Sequence, residues 1–147
     1  MRLKLPPNTP SKLHILVVED DRNVRDLILT RLAMAGYSTS VARDGAEALE
    51  AIRLSRPDAV VLDISLPKLD GFEVLRELRL KPASAVPPVM VLTARNAQED
   101  IKAALALGAR DYMSKPFDHA QLLFRLSRLL RKRPTPPRSG GGDILEI

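Results

Sequence analysis

The chain has 147 residues and a mass of 16.2 kDa, which is room for one domain. It is 45% hydrophobic and 28% charged, a globular composition that is neither disordered nor fibrous. It contains no cysteine, which excludes disulfides, zinc–thiolate sites, iron–sulfur clusters and cysteine nucleophiles. No apolar run reaches the roughly 18 residues of a membrane span and no signal peptide is visible, so we expect a cytoplasmic protein without a membrane partner.

The formal net charge of +5 is unevenly distributed along the chain. Residues 13–124 carry 14 basic and 16 acidic side chains, and the basic surplus lies in residues 1–12 and 125–142. The pI of 9.9 leaves nucleic-acid binding open, but a surplus confined to the ends favours solvated termini. We therefore expect a flexible basic leader over 1–10 and a Pro- and Gly-rich linker or tail over 133–147.

Strand-like and helical patterns alternate through the rest of the chain. Three short apolar runs, 13–18, 59–62 and 89–92, are typical of buried parallel strands. The mixed segments 37–42 and 111–114 are typical of exposed or edge strands. Five β-α units predict a parallel sheet with helices on both faces, and the edge-like second and fifth strands favour the order 2-1-3-4-5.

Helix-start and helix-stop residues mark the five predicted helices. The first helix is predicted by side chains that recur at intervals of three and four: Val24, Leu27, Ile28, Arg31, Leu32 and Ala35. Asp44 and Asp70 each stand three residues before a Glu and resemble capping boxes for the second and third helices. The fourth helix is predicted over 96–107, and Asp118 can cap the fifth. We expect four leucines of the fifth helix to face inward: Leu122, Leu126, Leu129 and Leu130.

Polar residues follow four of the five predicted strands. Glu19 and Asp20 follow the first strand, Asp63 the third, Thr93 the fourth and Lys115 the fifth. Ligands of open parallel sheets bind beyond the carboxyl ends of the strands, so we expect these side chains to converge. Packed carboxylates repel one another, and Mg²⁺, which prefers oxygen ligands, would relieve that repulsion. An Asp beside the metal can attack phosphorus to form an acyl phosphate, while a Lys ammonium and a Thr hydroxyl bind the phosphoryl oxygens.

Each of these residues also has a purely structural interpretation. The run from Glu19 to Asp21 can cap the first helix, and Asp63 can be an exposed strand end. Thr93 alone is most often a cap or turn residue, and Lys115 alone is most often a solvated charge. The coincidence of the residues with the strand ends is what favours a shared site.

Four segments carry a resemblance to a known family. Residues 15–21, 61–71, 91–94 and 108–117 read ILVVEDD, VLDISLPKLDG, VLTA and GARDYMSKPF. Together, over about 11–132, they resemble the CheY-like receiver domain of two-component response regulators. The resemblance implies an α/β, flavodoxin-like (βα)5 doubly wound fold.

The resemblance assigns roles at the acidic end of the site. Asp63 matches the phosphate acceptor, and Glu19 and Asp20 match the acidic pair of a Mg²⁺ site. Asp20 is implied as a direct ligand, Glu19 as a ligand through water, and the backbone carbonyl of Ser65 as the third protein ligand. Ser65 would also flank the phosphoryl group, while Asp21 aligns with a variable position and is given no ligand role.

The remaining implied roles concern phosphate binding and switching. Lys115 matches the phosphate-binding lysine, and the bond from Lys115 to Pro116 matches one that is usually cis. Thr93 matches the switch hydroxyl, and Tyr112 matches the aromatic residue that moves inward on activation. Tyr112 without the resemblance is more simply a static, half-buried side chain. Arg95, two residues beyond Thr93, is expected to flank the phosphoryl group.

The resemblance also implies partners. A sensor histidine kinase or a phosphotransfer protein would supply the phosphoryl group. The receiver would catalyse its own phosphorylation and slow dephosphorylation without being a conventional turnover enzyme. The tail resembles a linker into a winged-helix domain of the transcription-factor subfamily, so DNA is a partner only if such an effector domain follows.

Receivers of that subfamily pair through the fourth helix, fifth strand and fifth helix. Asp111 and Arg125 fit one of the charged pairs expected across such an interface. Ile101 and Gln121 stand where a second charged pair is common, and Arg110 replaces a usual acid, so the match to this dimer surface is incomplete.

Three other functions compete with the receiver interpretation. A phosphorylation-independent interaction module of the same fold would lack part of the acid, Thr and Lys set, which is complete here. A metal-dependent phosphatase commonly has a second Asp two residues after its nucleophile, where this chain has Ser65. A nucleic-acid binder is disfavoured because Phe and Tyr total only five and Trp is absent.

Overall fold

Five strands alternate with five α-helices over residues 12–131, the part of the chain that the computed structural model describes. The strands are β1 (His14–Val18), β2 (Ser38–Ala42), β3 (Ala59–Leu62), β4 (Val89–Thr93) and β5 (Asp111–Ser114). The helices are α1 (Arg22–Met34), α2 (Gly45–Ser55), α3 (Gly71–Arg79), α4 (Gln98–Ala106) and α5 (His119–Arg131), with a 3₁₀ turn at Ala83–Ala85. The expected leader and tail lie outside the described residues. No helix within 12–131 is long and apolar enough to cross a membrane.

The strands form one parallel sheet in the order β2-β1-β3-β4-β5, which confirms the predicted topology. Val18 is aligned with Ala42 on one side and with Leu62 on the other, and Thr93 is aligned with Ser114. The carboxyl ends of these strands therefore lie at one edge of the sheet, where the next residues of each chain segment meet.

The two faces of the sheet bury separate apolar layers. Along β1, Leu16 and Val18 belong to the layer covered by α2, α3 and α4. Ile15 and Val17 belong to the layer covered by α1 and α5. All four side chains are at most 1% exposed. Burial of both faces explains why the central strands are continuous apolar runs without a polar alternation.

Two helix starts confirm the capping chemistry to different degrees. The Asp70 carboxylate accepts from the Glu73 N–H and the Glu73 carboxylate accepts from the Asp70 N–H, each at 3.0 Å, a complete capping box. Asp44 accepts from the Glu47 N–H at 2.8 Å, but the Glu47 carboxylate accepts from the N–H of Arg43. At α2, therefore, the Glu47 carboxylate binds the N–H of the residue before the N-cap and not that of Asp44 itself, so the capping box is incomplete.

The buried face of α1 differs from the predicted stripe. Arg25, Ile28 and Leu32 are its buried residues, whereas Leu27 is 44% exposed. The buried face of α1 is therefore rotated relative to the predicted stripe. It includes Arg25, which a search for apolar residues leaves out. Gly36 follows the helix with φ +96°, in the left-handed region that favours glycine, and confirms the predicted stop.

The fourth helix begins later than predicted, and the fifth begins where predicted but buries one leucine less completely than expected. α4 begins at Gln98, two residues later than predicted, after Ala97, which offers no side-chain cap. Gly108 follows α4 with φ +106°. Asp118 accepts from the N–H of Ala120 at 3.1 Å and caps α5 as predicted. Leu130 is only half-buried, while the other three expected leucines are buried.

Candidate functional site

The sheet ladder continues one residue beyond the strands and positions the candidate side chains. The Glu19 N–H donates to the Ala42 carbonyl at 3.1 Å, and the Asp63 N–H donates to the Val18 carbonyl at 3.0 Å. The Lys115 N–H donates in the same way to the carbonyl of Thr93, at 2.9 Å. Regular β pairing therefore fixes the backbone of residues that follow three different strands.

An ammonium group lies between two buried carboxylates at this edge. The Nζ atom of Lys115 is 2.7 Å from Oε1 of Glu19 and 3.1 Å from Oδ2 of Asp63. The exposed fractions of the three side chains are 16%, 3% and 7% respectively. The structure thus brings together three of the predicted site residues, which are up to 96 positions apart in sequence.

Burial and charge oppose each other in this group. Burial raises the pKa of Glu19, and the charge of Asp63 adds to that rise, against the opposing hydrogen bond from Lys115. Burial acts to lower the pKa of Lys115, but the hydrogen bond to Glu19 and the charge of Asp63 outweigh it, so that the pKa rises. The ammonium is therefore stabilised in its charged form, while the Glu19 carboxylate carries a desolvation cost.

The three consecutive acids have three different environments. Glu19 is buried, whereas Asp20 is exposed and no side-chain hydrogen bond or ion pair within 12–131 involves its carboxylate. Asp21 is the N-cap of α1, with its Oδ1 accepting from the N–H groups of Asn23 and Val24 at 2.9 and 3.1 Å. Asp21 thus performs the capping that the sequence left open for the whole run.

The donor set fits a hard divalent cation. By residue type, Glu19, Asp20 and Asp63 offer carboxylate oxygens, the ligand class that Mg²⁺ prefers, and the Ser65 N–H donates to Oδ1 of Asp63 at 3.1 Å. Three carboxylates against the single ammonium of Lys115 leave two negative charges, which Mg²⁺ would balance. As the side chains stand, no three His, Asp or Glu residues within 12–131 converge on a metal position. The Lys115 ammonium instead lies between two of the candidate ligands.

The two predicted switch residues are connected through the backbone of Arg95. Thr93 is fully buried at the end of β4, and its Oγ1 accepts from the Arg95 N–H at 3.3 Å. The Tyr112 hydroxyl donates to the Arg95 carbonyl oxygen. Burial raises the pKa of this half-buried phenol. The link was missed in the sequence because a hydrogen bond to a backbone group leaves no residue-type signature.

The side chain of Arg95 is engaged with two helices. Its Nη2 and Nε are 2.9 and 3.3 Å from the carboxylate of Asp100 in α4, and its guanidinium lies 5.4 Å from the ring centroid of Phe72 in α3. The hydrogen bond to Asp100 raises the pKa of Arg95. The expected flanking residue is therefore paired with Asp100 in this state. The bond from Lys115 to Pro116 is cis, as the resemblance implied.

Asp111 and Arg125, expected to pair across a dimer interface, pair within the chain. The Nη1 atom of Arg125 is 2.9 Å from Oδ1 of Asp111, and Arg128 approaches the other oxygen at 3.9 Å. Arg125 also donates to the carbonyl of Tyr112 at 3.2 Å. Arg125 therefore connects the surface of β5 and α5 to the backbone of Tyr112, one of the two predicted switch residues.

A cleft of about 630 Å³ lies between α2 and the segment before β4, away from the acidic group. Its lining includes Arg53, Arg56 and Lys81 together with Ile52 and Val86. These residues border the amino ends of β3 and β4, the opposite end of the sheet from Asp63, and none of the predicted site residues lines this cleft. The position of this cleft therefore does not coincide with the candidate functional site, although large clefts are often binding sites.

Sequence comparison identifies the class of protein. The response regulator receiver domain model matches residues 15–127. A response regulator MprA from Mycolicibacterium vanbaalenii is 47% identical over 131 residues, which cover 89% of this chain and 55% of that protein. The chain spans about half the length of the curated relatives it matches.

Solved structures give the same result. A putative response regulator from Chloroflexus aurantiacus matches with a TM-score of 0.78 and 33% identity, over 83% of this chain and 100% of that chain. The receiver domain of a sensor histidine kinase from Pseudomonas aeruginosa matches with a TM-score of 0.76 and 34% identity over the same shares. That receiver was solved with a magnesium ion coordinated in its active-site cleft. The chain belongs to the response regulator receiver domain family, the phospho-accepting modules of two-component signalling.

The buried charge of Glu19 predicts a stability cost that Glu19→Gln removes. Because the pKa of Glu19 is raised on folding, the folded state binds this proton more tightly, and stability falls as pH rises through the raised value. We expect Glu19→Gln to raise the Tm by a few degrees at pH 7.5 in magnesium-free buffer. The gain should shrink as pH falls through the raised pKa toward the ordinary value of 4.5, because folded wild-type Glu19 becomes protonated over that range.

The matched control is Glu77→Gln, which neutralises an exposed acid of α3. Thermal unfolding of wild type and both variants at several pH values measures the effect. A Glu19→Gln variant that is less stable than wild type at pH 7.5 would show that pairing with Lys115 outweighs desolvation.

Proposed function

We propose that Asp63 accepts a phosphoryl group from a sensor histidine kinase or phosphotransfer protein, and that Mg²⁺ is required. The observation that carries this proposal is the Lys115 ammonium bound to both Glu19 and Asp63 at the carboxyl edge of the sheet. Phosphoryl transfer needs a nucleophilic oxygen together with fixed positive charge beside the phosphoryl oxygens, and this group contains both.

The transfer step uses the carboxylate of Asp63 as nucleophile. One Asp63 oxygen forms a bond to phosphorus while the bond from phosphorus to the donor histidine nitrogen breaks. The electron pair of that bond leaves with the imidazole, and the product is an acyl phosphate. Lys115 is within hydrogen-bond distance of the acceptor carboxylate before the reaction, at 3.1 Å, and neutralises charge on the phosphoryl oxygens.

Mg²⁺ binding would involve Asp20 and Asp63 as direct ligands, Glu19 through water and the Ser65 backbone carbonyl. When bound, Mg²⁺ supplies charge neutralisation and orientation at the phosphoryl oxygens. Two features support this assignment: the two carboxylates that share the single charge of Lys115, and the exposed carboxylate of Asp20, which is accessible to an ion from solvent. Ser65 and Arg95 would flank the phosphoryl group.

Thr93 and Tyr112 would convert the modification into a change at the surface. A phosphoryl group adds roughly −1.5 to −2 charge and strong acceptor oxygens. The Thr93 hydroxyl can donate to it, and rotation of Thr93 would break its bond from the Arg95 N–H. Since the Arg95 carbonyl accepts from Tyr112, the same movement weakens the bond that holds the phenol outside.

The receiver would be one part of a longer regulator. We assign residues 11–132 to the receiver and 133–147 to a linker that leads toward an effector, in accord with the half-length match to curated relatives. A winged-helix effector would make DNA the final partner.

Phosphorylation itself is tested by intact mass after incubation with acetyl phosphate. We expect one phosphoryl adduct on the wild-type chain in the presence of Mg²⁺ and none with a chelator. Asp63→Asn should abolish the adduct, because the amide replaces the nucleophilic oxygen. Asp26→Asn is the matched control, since Asp26 is an exposed acid of α1 whose side chain forms, within 12–131, no hydrogen bond and one exposed ion pair, with Arg22.

The other outcomes identify the competing functions. A folded, Mg²⁺-binding chain that forms no adduct would be a phosphorylation-independent interaction module. Rapid multiple turnover of acetyl phosphate without a trapped adduct would indicate a metal-dependent phosphatase. An adduct that survives Asp63→Asn would place the acceptor elsewhere.

The coupling between Thr93 and Tyr112 is testable by tyrosine fluorescence. The chain has two tyrosines and no tryptophan, so Tyr37→Phe leaves Tyr112 as the sole strong fluorophore. We expect acetyl phosphate with Mg²⁺ to change the Tyr112 emission in this background. Adding Thr93→Ala should remove most of that change while the mass adduct persists, because Asp63 and Lys115 remain intact. An unaltered emission change in the double variant would contradict the proposed link.

Homodimerisation through α4, β5 and α5 is the proposed consequence at the surface. We expect light scattering to report a monomer without a phosphodonor and a dimer after phosphorylation, with Asp63→Asn monomeric in both conditions. Asp111→Asn should reduce the dimer, since Asp111 binds Arg125 and Arg128 on this surface. A phosphorylated wild-type chain that stays monomeric would exclude this output.

A further inference from the structure

Arg25 is a buried cation of α1 that none of the proposed roles uses. It is 9% exposed, and its Nη1 donates to the backbone carbonyl of Glu19 at 3.1 Å and to that of Asp20 at 3.4 Å. Within residues 12–131 no carboxylate forms an ion pair with it. The guanidinium of Arg25 is therefore held by two backbone carbonyls and by no counter-ion from the described part of the chain, and its removal would take a donor from both.

The loop that carries the acidic pair is fixed at each residue by backbone contacts. The Glu19 N–H donates to Ala42 on β2, and the Arg25 N–H donates to the carbonyl of Asp21 at 2.9 Å. The Arg25 guanidinium binds the two carbonyls between these points. Arg25 therefore ties the loop to the first turn of α1 through both its backbone and its side chain.

The carboxylate of Asp20 depends on this backbone more than the other acids do. Glu19 and Asp63 are held by Lys115, whereas the Asp20 carboxylate has no hydrogen bond or ion pair within 12–131. The orientation of its peptide units is then what determines where its carboxylate lies. The two peptide units concerned are those of the Glu19 and Asp20 carbonyls, and Arg25 donates to both.

We propose that Arg25 is a positioning residue for the metal site: by binding the carbonyl oxygens of Glu19 and Asp20, it orients the acidic pair for Mg²⁺. This inference rests on the magnesium site proposed above. Arg25 also carries a positive charge, and charge alone would oppose a nearby cation. The two effects have opposite signs, so a measured Mg²⁺ affinity distinguishes them.

Calorimetric titration of the unphosphorylated chain with MgCl₂ tests the proposal. Arg25→Met should raise the Kd for Mg²⁺ about tenfold or more, the usual effect of losing a residue that orients metal ligands. Arg25→Lys should recover part of the affinity, because an ammonium can bind one of the carbonyls. Arg22→Met is the matched control on the same helix, at an exposed arginine whose ion pair with Asp26 spans 3.8 Å. Its Kd should stay within about twofold of wild type, as expected for an exposed ion pair.

A second measurement separates positioning from general loss of structure. If Arg25 acts through Asp20, Arg25→Met should change the Mg²⁺ affinity much less in an Asp20→Asn background than in wild type. Circular dichroism and the Tm without Mg²⁺ establish that each variant is folded. If Arg25→Met does not fold, the same cycle is run with Arg25→Lys.

The outcomes are distinct. An unchanged or tighter Kd in the folded Arg25 variant overturns the inference, as does an equal fold-change with and without Asp20. A wild-type chain that binds no Mg²⁺ overturns the proposed metal site and this inference together. Wild-type binding with an unaffected Arg25 variant overturns the inference alone.

Discussion

The ammonium group of Lys115 holds together side chains that arrive from different strands of the sheet. It binds Glu19 after β1 and Asp63 after β3, while its own backbone is anchored to Thr93. Two buried carboxylates this close to each other would destabilise the folded chain without a shared cation. That contact joins the residues that follow β1, β3 and β5, whose ends the parallel pairing of the sheet brings to one edge.

Much of the fold was predictable because it depends on local patterns. The continuous apolar runs of β1, β3 and β4 reflect burial on both faces, and the weaker patterns of β2 and β5 reflect their places at the sheet edges. The Asp70 capping box follows from residue type and spacing alone. The approach of Glu19, Asp63 and Lys115 to one another was predictable from the topology, since a parallel sheet brings the residues that follow its strands to one end.

The features that escaped prediction are those that act through the backbone. Arg25 lies three and seven residues before Ile28 and Leu32, on the buried face, but a periodicity search for apolar side chains assigns that face to Leu27 instead. The bridge through Arg95 is equally invisible, because both of its hydrogen bonds use main-chain atoms. A charged residue at the spacing of an apolar stripe is the signal that would have drawn attention to Arg25.

A continuous series of hydrogen bonds connects Thr93, at the carboxyl end of β4, with the surface formed by β5 and α5. Thr93 is joined to Arg95, the Arg95 carbonyl to Tyr112, and the Tyr112 carbonyl to Arg125, which in turn binds Asp111. A continuous series of hydrogen bonds does not by itself transmit a signal. Transmission also requires a structural element with two arrangements, whose equilibrium is shifted by phosphorylation. In the function proposed above, the Thr93 side chain would be such an element. Its Oγ1 accepts one bond of 3.3 Å from the Arg95 N–H, and turning the side chain toward a phosphoryl group on Asp63 would let its proton be donated there while the accepted bond is broken. A charge-assisted bond is stronger than a neutral one, so phosphorylation would favour the turned arrangement, in which the Arg95 N–H loses its acceptor and the bond from Tyr112 to the Arg95 carbonyl is weakened.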